Sequence, residues 1–144
     1  MSASEKTFPV TRNALYSLAA AGAVLLGLFL LAGAGGHIVA VWPLLDAAAN
    51  PSPGNPVTLL LPGVVLATTG VLNLGLSAPL WKGNRRALNW ALACNIVAAA
   101  YCGWLLLRGV PDHPIGLFLA VTSSEVLLLS AVRAGLVWPA ASPR

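Results

Sequence analysis

Four long apolar stretches dominate this chain, roughly Leu15–Val41, Val57–Leu80, Ala87–Leu107 and Ile115–Trp138. A helix needs about 20 apolar residues to cross the hydrocarbon core of a bilayer, and each stretch meets that length. Lipid offers the backbone no hydrogen-bond partners, so each run must satisfy its own amides as a helix. None shows the strict alternation of a barrel strand. The fold class expected is an all-α integral membrane protein with four transmembrane helices.

Composition points the same way. Of 144 residues only 8% are charged and 58% are hydrophobic, whereas soluble domains carry roughly 25% charged residues. So apolar a chain cannot cover a water-facing surface. The length predicts one four-helix transmembrane domain over residues 1–144, with no separate soluble module. The first apolar run far exceeds a signal-peptide core of about 7–15 residues, so it reads as a retained span.

The breaks between runs are sharp. Asn50-Pro51-Ser52-Pro53-Gly54-Asn55-Pro56 is rich in turn formers, Lys82-Gly83-Asn84-Arg85-Arg86 is a short polar turn, and Gly109-Val110-Pro111-Asp112-His113-Pro114 is a third break. Short connections make successive helices antiparallel neighbours, which predicts an up-down-up-down bundle. Lys6, Arg12, Lys82, Arg85, Arg86, Arg133 and Arg144 then share one side, and only Arg108 lies on the other. The positive-inside rule places both termini in the cytoplasm, with the inner membrane of a bacterium as the expected location. Trp42, Trp81, Trp104 and Trp138 fall near span ends, as an aromatic belt requires. The net charge of +4 is explained by topology, and no basic stripe with interleaved aromatics points to nucleic acid.

Glu125 is the one acidic side chain inside an apolar run. A carboxylate at that depth is costly and marks a functional hypothesis by default. Thr122 precedes it by about one turn. Thr68 and Thr69 lie at comparable depth on the second run. Three readings stand open: a neutral acid satisfied within the bundle, a contact to a partner helix, or a proton-coupled site. No second buried acid, Lys or His accompanies it to form a relay. Arg133, eight residues on, is predicted to reach the inner surface instead.

Thr69, Asn73 and Ser77 recur every four residues on the second run. Asn73 and Asn95 each lie about 10–12 Å above the inner interface at 1.5 Å per residue, so their amides are placed to meet. Ala19, Ala23, Gly27 and the cluster Gly33-Ala34-Gly35-Gly36 give the first run small faces that admit close helix approach. On the outer side, His37, Asp46, Asp112 and His113 form a second candidate group, a polar rim whose spacing matches no known metal motif. Cys94 and Cys102 lie about 12 Å apart along one helix, beyond the roughly 7 Å that a disulfide allows.

The size and four-span plan resemble those of the small multidrug transporters. Those carry an essential carboxylate in the first helix, and here the first run has none. The four-span bacterial proteins grouped as DoxX-like are similar in layout, without a shared motif. The chain has no Gly-rich phosphate loop, H-E-x-x-H, G-x-S-x-G or CxxC. The reading is therefore a protein without catalytic chemistry, cofactor or metal of its own. It is expected to sit in the lipid bilayer and bind another membrane protein, or itself, as an accessory component, immunity-type binding included. A small oligomeric proton-coupled transporter or channel using Glu125 is the alternative. A membrane enzyme or metal/haem carrier with an outer-face site comes third.

Overall fold

The computed structural model describes residues 7–47, 56–109 and 114–137. Four α-helices account for nearly all of them: α1 (Thr7–Ala47), α2 (Pro56–Trp81), α3 (Arg85–Leu107) and α4 (Ile115–Val137). All four are long and apolar enough to cross a membrane. The first three helices each contain one of the apolar runs and extend past it, and α4 covers the fourth as far as Val137. The clearest case is α1, which starts at Thr7 rather than near Leu15.

The turn between α2 and α3 shows how local sequence sets the frame. Gly83 adopts φ 74°, a left-handed conformation that glycine alone takes without cost. Asn84 then caps α3, its side chain accepting from the backbone N–H groups of Arg86 at 2.8 Å and Ala87 at 3.3 Å. The pair α2–α3 is thus folded back within three residues, which fixes which layers of the two helices face each other.

Glycine also sets how closely α1 and α2 approach. A Cβ on Gly27 would lie 2.9 Å from the Gly70 carbonyl oxygen, and a Cβ on Gly70 would lie 2.9 Å from that of Gly27. The two backbones touch here with no side chain between them. Small residues exist at membrane helix crossings for this purpose. Farther along, Gly63 of α2 receives the His37 ring of α1. On the other flank of α1, Gly33 packs against the Phe118 ring of α4, and Gly22 packs against Glu125.

Two apolar clusters fill the interior. One joins Tyr16, Ala19, Ala23, Leu80, Leu88, Ala91, Leu129 and Val132, and so draws on all four helices near the α2–α3 turn. The other joins Leu26, Leu30, Leu66, Cys102, Leu105 and Phe118 toward the opposite end. Thr69, Asn73, Asn95, Thr122 and Glu125 are the buried polar side chains among the described residues.

The helices do not end level. From Gly33 to the end of α1 at Ala47 is 14 residues, whereas Phe118 is only three residues from the start of α4 at Ile115. Hence α1 overruns α4 by about 11 residues, or roughly 16 Å. In this overhang Ile38, Val39, Trp42 and Leu44 are exposed.

Candidate functional site

The buried polar residues divide between two helix seams. In the α2–α3 seam the amides of Asn73 and Asn95 form a closed pair. Asn73 Nδ2 donates to Asn95 Oδ1 at 3.1 Å, and Asn95 Nδ2 donates to Asn73 Oδ1 at 2.9 Å. The remaining donors go to the helices themselves, Asn73 to the Thr69 carbonyl and Asn95 to the Ala91 carbonyl, both at 2.9 Å. Each side-chain N–H is thus used, in an interior where an unmade bond is expensive. Cys94 of α3 lies beside the Thr69 side chain in the same seam. Ser77, the third member of the four-residue series, turns to the Leu74 carbonyl of its own helix at 2.7 Å.

The α1–α4 seam holds Glu125. Its side chain is 6% exposed, and Oε2 lies 2.5 Å from where a Cβ on Gly22 would be. Glycine on α1 therefore makes the notch that admits the carboxyl group. Oε1 is enclosed and has no hydrogen-bond partner. Thr122, one turn earlier, donates to the carbonyls of Phe118 at 2.6 Å and Leu119 at 3.1 Å, so its hydroxyl serves its own helix. Among the described residues, the other enclosed side-chain oxygen without a partner is the Tyr16 hydroxyl. Its ring lies beneath the α2–α3 turn, 3.8 Å from the Cβ position of Gly83.

The structure thus brings Thr69, Asn73 and Asn95 together and sets Glu125 against a different helix. Thr68, at the depth of Thr69, is exposed, because one residue is a 100° step around a helix. Gly22, Tyr16 and Cys94 were not among the expected polar-site residues. Gly22 sits in a series of small residues that marks close packing without naming the side chain received. Both cysteines are free.

Of the outer group, His37 is half-buried, its ring against α2 at Gly63. Asp46 falls in the last turn of α1. The Asp46 side chain, and Asp112 and His113 entirely, lie outside the described residues. Arg108, beyond the end of α3, stacks over Trp104 at 5.2 Å from the ring centroid, a cation–π contact at the position of an interfacial belt.

No protein-family model, curated protein or solved structure matches this chain.

Proposed function

We propose that this protein is an accessory component of a membrane assembly, binding another membrane protein through the overhang of α1. The observation that carries this reading is a length mismatch. The apolar part of α1, Ala14–Leu44, has 31 residues, or about 46 Å of helix. A hydrocarbon core is about 30 Å thick. Burying the whole stretch in lipid requires a tilt of about 49°, beyond the roughly 0–40° found for membrane helices. Apolar surface around Ile38, Val39, Trp42 and Leu44 therefore stands at or above the lipid boundary, and a protein partner is the cover that fits it. Gly35 and Gly36 on the same segment have no atom within 4 Å of their Cβ positions, so a second helix can approach closely there.

The topology in this reading is up-down-up-down, with both termini in the cytoplasm. The residue pairing supports it, since later residues of α1 meet earlier residues of α2 and of α4. The basic residues of the α2–α3 turn and Arg133 of α4 then mark the cytoplasmic side of an inner membrane.

The enclosed, unpartnered Glu125 Oε1 favours a second reading, a small oligomeric transporter that loads a proton or other ligand at that oxygen. One experiment separates the two. Purification from native membranes in a gentle detergent yields, on the first reading, this chain with a distinct protein at fixed stoichiometry. A homo-oligomer free of other proteins contradicts that reading and supports transport.

A further inference from the structure

The α2–α3 end of the bundle carries positive charge that no acidic side chain among the described residues compensates. Lys82, Arg85, Arg86 and, on α4, Arg133 are exposed, and among the described residues none makes an ion pair. Of the four acidic residues, Asp46 falls in the last turn of α1 at the opposite end, Glu125 is buried between α1 and α4, and Glu5 and Asp112 lie outside the described residues. The charge is also held in place. Gly83 permits the tight turn, and Asn84 ties the first N–H groups of α3, so Arg85 and Arg86 begin a fixed helix.

Below this charge the surface becomes aromatic. Arg86 and Trp90, like Arg85 and Asn89, are four residues apart and share a helix face. Trp90 is 68% exposed, and Trp81 at the end of α2 is 65% exposed. The same face of α3 continues through exposed Val97 to exposed Trp104. From Arg86 to Arg108 is roughly 33 Å along the helix, close to the roughly 30 Å of a hydrocarbon core. Arg86 therefore stands at phosphate depth when the aromatic rings stand at the acyl–headgroup boundary.

We propose that Lys82, Arg85, Arg86 and Asn89, with Trp81 and Trp90 beneath them, form a binding site for the headgroup of an anionic phospholipid. The three cations meet the phosphate, with Arg able to grip two of its oxygens at once. Asn89 offers hydrogen bonds to a hydroxylated headgroup, and the tryptophans pack along the upper acyl chains. Because Asn84 already occupies the N–H groups of Arg86 and Ala87, the side chains supply the contacts. This site is independent of the partner surface on α1, which lies at the other end of the molecule.

The test uses the full chain with Trp42, Trp104 and Trp138 replaced by Phe, so that Trp81 and Trp90 report. The protein is reconstituted into phosphatidylcholine vesicles containing equal mole fractions of either brominated phosphatidylglycerol or brominated phosphatidylcholine. Each basic group near an anionic surface contributes about a fivefold preference. Quenching is expected to show at least a fivefold preference for the anionic lipid. That preference falls to about one in the Lys82→Gln, Arg85→Gln, Arg86→Gln protein. It also falls in the unsubstituted site at an ionic strength near 1 M, where the screening length is about 3 Å. Equal quenching by the two lipids, or a preference that survives both the triple substitution and high salt, overturns the proposal.

Discussion

Asn73 and Asn95 share two hydrogen bonds across the α2–α3 seam, and each gives its remaining donor to its own helix. Replacing one by Ala strands its partner, whereas replacing both removes the demand together. Coupling between polar side chains of membrane helices averages about 0.6 kcal/mol and reaches about 1.7. A double-mutant cycle of Asn73→Ala and Asn95→Ala, read by unfolding in mixed micelles, is expected to give a coupling in the upper half of that range. Strictly additive losses would contradict the pairing. This contact was legible in the sequence, because a turn of three residues leaves little freedom in how α2 and α3 face each other. The environment of Glu125 was not. Its helix and depth followed from the apolar run, but the rotation of α4 against α1, two helices far apart in sequence, is decided by packing. Gly22 as the receiving residue follows only from the fold.

At the scale of elements, α1 and α2 cross in close backbone approach at Gly27 and Gly70. Helix propensity alone favours Ala over Gly by about 1 kcal/mol. At Gly70, however, an added Cβ meets the Gly27 carbonyl oxygen at 2.9 Å and the Leu31 side chain at the same distance. A carbonyl within a helix cannot move aside alone, and overpacking typically costs about 1–3 kcal/mol. Gly70→Ala is therefore expected to lower stability, by up to about 2 kcal/mol net of its better propensity. A gain in the same unfolding assay would show that the helices do not meet there. The four apolar runs announced the helices because their length excludes other solutions in lipid. Their boundaries were less legible. Thr7–Asn13 continues α1 ahead of the apolar run, and an apolar pattern marks the embedded part of a helix, not its end.

For the whole molecule, the notable asymmetry is between its two ends. One end is basic and carries exposed Trp81 and Trp90, as suits a lipid headgroup layer. The other has α1 running about 16 Å past the start of α4, with exposed apolar side chains. The polar interior is largely spent on cohesion, since Asn73, Asn95 and Thr122 bond within the bundle. The overhang was only half legible: the first apolar run was visibly the longest, but its excess over α4 depends on the Gly33–Phe118 register. The most direct test of partner binding is site-specific photo-crosslinking in native membranes, with the photoreactive side chain at Val39 in the overhang or at Val97 on α3, both exposed. Docking through α1 predicts one discrete protein adduct from Val39 and none from Val97. Adducts to lipid alone at Val39, or equal protein adducts from both positions, would contradict it.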